Sequence, residues 1–307
     1  MRGALRGLWR RKYEETAAAS GITFRVQPGE LVGFLGPNGA GKTTTLKMLS
    51  GLLYPTSGDA RVMGFRPWER KDAFRRRFAL VMGQKNQLWW DLPASESLEL
   101  NRAIYGIDRA EAQRTLDELT EWLEVRDKLR VMVRELSLGE RMKFELIAAL
   151  LHRPEVLFLD EPTIGLDVVS HKKVREFLRE YARKRKITTL LTSHYMRDIE
   201  ELCERVVIID HGKLFFDGPL EAITDRFASH KILTLRWDRG LPAFPFAEAG
   251  EVLEREDDAI RLRVPRGEMI AVTQRLLSQL SPDDVTIEEV PIEEIIRRVF
   301  QGNAQKA

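Results

Sequence analysis

Residues 36–44, Gly36-Pro37-Asn38-Gly39-Ala40-Gly41-Lys42-Thr43-Thr44, spell G-x-x-x-x-G-K-[ST], and no other stretch constrains the fold as tightly. Such a loop works only between a strand and a helix. Before it, Glu30–Leu35 reads as a short buried strand. After it, Thr45–Leu49 opens a helix that Gly51 can end. Gly36, Gly39 and Gly41 let backbone N–H groups turn inward as an anion nest at the positive end of that helix. Lys42 adds a point charge for β- and γ-phosphates, and the Thr43 hydroxyl is a ligand for Mg²⁺.

The chain has 307 residues, enough for one large domain and one small one. With 43% hydrophobic and 31% charged residues it can bury a full core. A net charge of +2 makes no demand for nucleic acid as a partner. Cys203 is the single cysteine, so an internal disulfide framework and a cysteine-cluster zinc site are excluded. A reducing, cytosolic compartment fits. The first residues, Met1–Arg11, are basic but hold no apolar stretch of the kind a secretion signal needs. No segment reaches the roughly 18 apolar residues of a membrane span. Leu146–Leu151 and Val156–Leu159 are core-length runs only. Work at a membrane would therefore go through a separate membrane partner.

From about Gly21 to Gly64 the pattern predicts strand, loop, helix, turn (Pro55–Gly58) and strand. Phe78–Met82 is another strand candidate. Leu92 to Met132 is mostly helical, with Leu98, Ile104, Leu116, Leu119, Trp122 and Leu123 at helical spacing. Val156–Leu159 is a continuous apolar run, as in a parallel strand buried on both faces. His171–Lys184 reads as a helix, and Thr188–Thr192 and Arg205–Ile209 as central strands. Alternating strands and helices predict a mostly parallel α/β sheet. After about Arg226 the texture changes. Ile232–Trp237 alternates, Glu251–Arg255 and Ile260–Val264 form a hairpin pattern, and Glu268–Leu280 is an amphipathic helix. Val285–Val290 and Ile292–Phe300 complete a β-rich module of about 75 residues, small enough to need docking for stability.

Further elements sharpen the phosphate loop. Leu157-Phe158-Leu159-Asp160-Glu161 is a Walker B strand. Asp160 would hold Mg²⁺, and Glu161 beside the γ-phosphate is the candidate general base, because attacking water must lose a proton. Leu136-Ser137-Leu138-Gly139-Glu140 opens the helical stretch to Leu151. Ser137 there also reads as a plain N-cap, and the two readings are compatible.

With that segment the sequence resembles the ABC ATPase family, whose signature is Leu-Ser-Gly-Gly-Gln. The resemblance implies that Ser137, Leu138, Gly139 and Glu140 cap the γ-phosphate on a partner's P-loop, a task that suits a helix N-terminus. Two positions depart from the pattern: Leu138 replaces the first glycine, and Glu140 replaces glutamine. Leucine reaches φ > 0 only at a cost, so the backbone contact at 138 is where this chain differs from its family. Ile164-Gly165-Leu166-Asp167 resembles the family's D-loop, with Asp167 as its acid. His194, just past a strand, resembles the switch histidine, whose imidazole can donate to the γ-phosphate. Gln84, after the Leu80–Met82 strand, resembles the Q-loop glutamine that senses Mg²⁺ and water. Tyr13 resembles the aromatic that stacks on adenine, with Trp9 nearby and packing as its alternative role.

The resemblance covers about residues 13–225. It implies a P-loop NTPase fold with a helical signature subdomain at about 92–150, and an ATPase domain over 1–226. Residues 227–307 would form a small α+β accessory domain. It implies ATP and Mg²⁺ as cofactors, a homodimer or paired ATPase subunit, and a separate integral-membrane permease. The chain would be cytoplasmic and peripheral on the inner face of the membrane. The stretch Gln84–Pro93 with Ser137–Met142 is similar to export-type subunits of the daunorubicin and drug-resistance group. Asp284–Ile296 is similar to the small C-terminal domain many of these carry. Trp89 and Trp90 would then meet the permease, as aromatic anchors, or else pack on the chain's own helices. Arg75–Arg77 and Arg183–Lys186 read as solvated faces or as contacts to anionic lipid. The rival classes are a soluble ABC ATPase of DNA repair or translation, and a nucleotide sensor with little turnover. The first lacks support because there is no long coiled-coil insertion, zinc cysteine set or second P-loop. The second is opposed by the presence of Glu161 and His194.

Overall fold

The computed structural model describes residues 17–223 and 229–296. The chain divides into two compact units, Met1–Asp217 and Gly218–Ala307.

The first unit is built on a six-stranded sheet. Its strands are β1 (Leu31–Leu35), β2 (Phe78–Met82), β3 (Val156–Asp160), β4 (Thr188–Thr192), β5 (Arg205–Asp210) and β6 (Lys213–Pro219), in the order β2-β3-β4-β1-β5-β6. The pairs β2–β3, β3–β4, β4–β1 and β1–β5 are all parallel. Val32, Phe34, Val156, Phe158, Leu190, Val207 and Ile209 form one core with Leu46 and Phe74. Their alternate neighbours Leu157, Leu159, Leu191, Val206 and Ile208 are equally buried. Both faces are covered, which is why these strands read as unbroken apolar runs.

Helix α1 (Lys42–Leu49) follows β1 directly and ends at Ser50 and Gly51. Gly51 stands at φ +74°, where a Cβ would strike the Pro67 carbonyl at 2.3 Å. Helix α2 (Asp72–Arg75) leads into β2. Between β2 and β3 lie α3 (Ala94–Tyr105), α4 (Arg109–Trp122) and α5 (Leu138–Leu150), the expected helical subdomain. Asp108 caps α4 through the N–H groups of Ala110 and Glu111. Helix α6 (Val168–Arg185) buries Val174, Phe177, Leu178 and Tyr181 along one face and carries Arg183, Lys184 and Arg185 in its last turn, where cations complement the dipole. Helix α7 (Met196–Leu202) precedes β5.

Ala17–Glu30 leads into β1, the strand expected before the loop. Ile22, Phe24 and Val26 pack on the core, and Phe24 stacks on Phe34, but the segment joins no ladder among the described residues. The strand expected before Gly64 shrinks to a Val62–Phe65 bridge, because Gly58 and Gly64 turn the chain at positive φ. The basic runs are largely ion-paired rather than bare. Arg77 meets Glu155, Arg75 meets Asp72, Arg185 meets Glu118, and Lys184 lies 4.2 Å over the Trp122 ring.

The second unit is a four-stranded antiparallel sheet. Strands β7 (His230–Arg236), β8 (Glu251–Arg255), β9 (Ala259–Pro265) and β10 (Asp284–Glu289) lie in the order β10-β7-β9-β8. Helix α8 (Met269–Leu280) covers one face, closing a core of Leu233, Leu235, Trp237, Ile260, Leu262, Val264 and Leu276. Residues 292–296 begin the last expected helix, whose remainder lies outside the described residues.

Candidate nucleotide site

Parallel strands all end on one edge of a sheet, so loops leaving β1, β2, β3 and β4 gather there. The loop after β1 carries the phosphate-binding motif, that after β2 carries Gln84, and those after β3 and β4 carry Glu161 and His194.

Gly41 caps α1 in the left-handed region at φ +101°, and a Cβ there would strike the Ala18 carbonyl at 2.0 Å. Only glycine closes the loop at that position. Ala40 is buried, donating its N–H to Pro37 and accepting from Gly212, while Asn38 and Gly39 stay exposed. Thr44 is half-buried. Lys42 is buried, and its Nζ donates to the carbonyls of Gly36 (2.7 Å) and Pro37 (3.1 Å). Burial holds this ammonium below its ordinary pKa, while the carboxylates of Glu161 and Asp160 oppose that shift. A buried ammonium that has only carbonyl partners is an anion receptor in waiting.

Across the neighbouring strand, Thr43 Oγ1 donates to Asp160 Oδ2 at 2.8 Å. Thr192, at the end of β4 between them, donates to Asp160 Oδ1 at 2.7 Å. The same hydroxyl accepts from the Glu161 N–H at 3.1 Å. Thr192 thus locks Asp160 and Glu161 together. His194 Nε2 lies 2.7 Å from Glu161 Oε1. The other carboxylate oxygen, Glu161 Oε2, is buried without a hydrogen-bond partner. An orphaned buried acceptor beside a histidine is poised to take a proton from water. Glu161 itself stands at φ +56°.

Ser137 caps α5 in a capping box: its hydroxyl and N–H both lie 2.9 Å from Glu140 Oε2, and the Glu140 N–H returns to Ser137 Oγ at 3.2 Å. The donated Ser137 N–H holds the Glu140 carboxyl below the usual range. Glu140 also meets Lys128. Leu138 is the first residue of α5, with no positive φ, so the backbone cost expected of leucine here does not arise. Its Cδ2 instead sits 3.1 Å from where a Cβ on Gly165 would be. Gly139 packs on α6 so closely that a Cβ would lie 2.3 Å from Ser170 Oγ. Asp167 caps α6 through the N–H groups of Val169 and Ser170, and those bonds lower its pKa.

Gln84 is exposed, next to Gly83, whose N–H donates to the Asp160 carbonyl at 2.8 Å. Thr43, Asp160, Thr192, Glu161 and His194 are therefore linked in one bonded set, while Lys42 bonds to the Gly36 and Pro37 carbonyls within its own loop. Ser137–Glu140 and Asp167 bond at their own helix starts, with Glu140 also paired to Lys128. Tyr13 lies outside the described residues.

Sequence reasoning missed three groups. Thr192 is one. Asp198 is another: fully buried, it accepts from Thr163 Oγ1 (2.6 Å) and Ser193 Oγ (3.0 Å), and meets His171 and Arg175. It ties the turn after Glu161 to the turn before His194. The third is Glu145, buried within α5, whose Oε1 accepts from the N–H groups of Gln87 (2.8 Å) and Leu88 (3.2 Å). Only Glu145 left a local signal, a lone charge between Phe144 and the apolar run Leu146–Leu151.

Burial raises the Glu145 carboxyl above its usual range, against the pull of the Gln87 and Leu88 N–H groups and Arg141. An acid with a raised folded pKa holds its proton longer in the fold than unfolded. Its contribution to stability is therefore greatest below the ordinary carboxylate range and declines as pH rises through the raised value. The melting temperature of Glu145→Gln should gain on that of the unsubstituted chain across that rise. Paired melts at a series of pH values check this, and a constant gap refutes it.

Residues 19–164 match the ABC transporter family, and residues 229–288 match the C-terminal domain of EvrA-like ABC transporters. The chain is 34% identical over 212 residues to the ABC transporter ATP-binding protein NatA of Bacillus subtilis (strain 168), spanning 69% of this chain and 86% of that one. It is 36% identical over 214 residues to the bacitracin transport ATP-binding protein BcrA of Bacillus licheniformis, spanning 70% and 69%. A solved structure described as the ATP-binding subunit of an ABC transporter superposes with a TM-score of 0.62 at 31% identity, covering 68% of this chain and 87% of that one. The chain belongs to the ABC transporter family, as an ATP-binding subunit with an ABC-type ATPase domain.

Proposed function

We propose that this subunit hydrolyses ATP to drive an export system, working as one half of a nucleotide-sandwich pair against a separate integral-membrane permease. The observation that carries the catalytic part is the unpartnered Glu161 Oε2 beside His194, next to the Lys42–Thr43–Asp160 set. A sensor with little turnover has no need of a carboxylate kept free in a buried position.

Glu161 is the general base, and His194 orients it and donates toward the γ-phosphate. Within Gly36–Thr44, Lys42 and the backbone N–H groups not already bonded in the loop hold the phosphates, Pro37 having no N–H to give and the Ala40 N–H donating to the Pro37 carbonyl. Thr43 Oγ1 and Asp160 stand side by side as hard oxygen donors, a pair that fits Mg²⁺, and Gln84 would add a third from the segment after β2. Bound there, the ion would neutralise charge developing on the phosphates. Among the described residues no group of three or more His, Cys, Asp or Glu could hold a metal. Ser137–Glu140 of one copy faces the P-loop of the other, and Asp167 lies at the same junction.

Trp89 and Trp90, 40% and 45% exposed, follow Gln84, and Leu100 and Ile104 on α3 add exposed apolar area. This exposure supports a docking role rather than core packing. No described helix is long and apolar enough to cross a membrane. Export is favoured by a further relative, the Nod factor export ATP-binding protein I of Burkholderia thailandensis, 38% identical over 208 residues.

Pull-down of a multi-span membrane protein with this chain tests the transporter reading against soluble roles. Trp89→Ala with Trp90→Ala should abolish that co-purification, since aromatic anchors typically carry about 2 kcal/mol or more each. Basal ATPase activity and the melting temperature should hold. A fall in melting temperature of the size that loss of a core Trp brings, about 3–5 kcal/mol of stability, refutes the docking role.

A further inference from the structure

The segment after β2 is tied at both ends. Its start is fixed to β3, where the Gly83 N–H donates to the Asp160 carbonyl at 2.8 Å. A Cβ on Gly83 would strike the Glu161 carbonyl at 2.0 Å, so the contact is close as well as bonded. Its far end is fixed to α5, where the N–H groups of Gln87 and Leu88 both donate to Glu145 Oε1. Gln84, Lys85 and Asn86 are the exposed span between these anchors. Glu145 stands eight residues beyond Ser137 on the same helix, about 12 Å along its axis.

A carboxylate in an apolar helix interior is costly to keep. Glu145 is 3% exposed, and its Oε2 has no partner. Helix packing alone would be served better by leucine or alanine, which fill the neighbouring positions Leu146, Ala148 and Ala149. What leucine cannot do is accept two backbone N–H groups from another segment. That acceptor is the one thing the carboxylate adds here.

We propose that Glu145 is a positioning residue for ATP hydrolysis: it locks the Gln84 span to the signature helix, so that Gln84 and Ser137 shift together as one body. The proposal rests on the roles given above to Gln84 and Ser137. Without the lock, the Gln84 span would keep its ties to the sheet, through Gly83 to Asp160, the Lys85 N–H to the Met82 carbonyl and the Gln87 side chain to the Leu80 carbonyl, but would lose its backbone bonds to the signature helix. The P-loop would still bind nucleotide, because Glu145 touches none of it.

Glu145→Met removes the acceptor at similar volume, and Glu145→Gln keeps it as an amide oxygen. Glu145→Met should lower turnover by about 10- to 100-fold, the range for a displaced positioning group. Its affinity for a fluorescent ATP analogue should stay within about twofold of the unsubstituted chain. Glu145→Gln should restore turnover. Turnover in Glu145→Met equal to that of the unsubstituted chain overturns the proposal. So does a Glu145→Gln variant as slow as Glu145→Met. Hydrogen exchange on the unsubstituted chain decides the matter even if Glu145→Met does not fold. The Gln87 and Leu88 amides should be protected like those of α5 and slow in step with them when ATP is added. Exchange at the rate of open loop amides overturns the lock. The role of Gln84 has its own arm. Gln84→Ala should slow turnover by itself, with Glu145→Met adding little in that background. Full turnover in Gln84→Ala removes Gln84 from the mechanism, while the exchange result still decides the lock.

Discussion

Glu161→Gln should leave ATP binding intact and lower hydrolysis by roughly 10²–10⁴-fold, the usual worth of a general base. The geometry makes the substitution clean. Gln keeps an oxygen to accept from His194 Nε2 and keeps the Glu161 N–H on Thr192. What changes is the buried, unpartnered Oε2, which becomes an amide that cannot take a proton. The ATP-bound pair should persist longer, because the event that reopens it is blocked. Turnover measured beside sedimentation with ATP checks both halves. Near-normal turnover in Glu161→Gln would mean that another group is the base, and His194 would be the next to examine.

Ser137→Arg should abolish hydrolysis while each copy still binds nucleotide at its own P-loop. The capping box predicts a second, smaller effect: loss of a serine N-cap costs about 1 kcal/mol, visible as a modest fall in melting temperature. The two effects separate cleanly, since a lost cap lowers stability without ending turnover. Mixing Ser137→Arg with Lys42→Ala protein is the sharper measurement. In a mixed pair one composite site carries both lesions, and the other carries neither. Partial recovery of activity supports sites shared between copies. Proven mixed pairs without recovery would show that each copy works alone.

What could be read from the sequence was whatever lies close together along it. The P-loop, its strand and its helix form one local unit, and the structure has β1, Gly41 and α1 in that order. The apolar run before Asp160 announced a doubly covered strand, and β3 is buried along its whole length. The hairpin of Glu251–Arg255 and Ile260–Val264 was legible from alternation, and β8 pairs with β9. Contacts that draw on distant residues were not legible. Asp198 sits in a short helix with nothing beside it to mark it, because its partners come from positions 163, 171, 175 and 193. Thr192 stood in view but looked like a strand end. Its role needs Asp160 and Thr43 brought across β4. Leu138 was judged by the glycine it replaces rather than by the helix it begins, and the helix is what decides its backbone.

Glu161 carries one further consequence, through its backbone rather than its carboxylate. At φ +56° it occupies a region that costs a side-chain-bearing residue about 1 kcal/mol, and that glycine or asparagine enters far more easily. A laboratory lineage selected only for survival at high temperature would therefore find relief at this codon, and, with Glu161 as the base proposed above, would harden the protein while silencing it. Directed evolution of this subunit for robustness has to keep a turnover screen in every round, because here durability and output pull the same position in opposite directions.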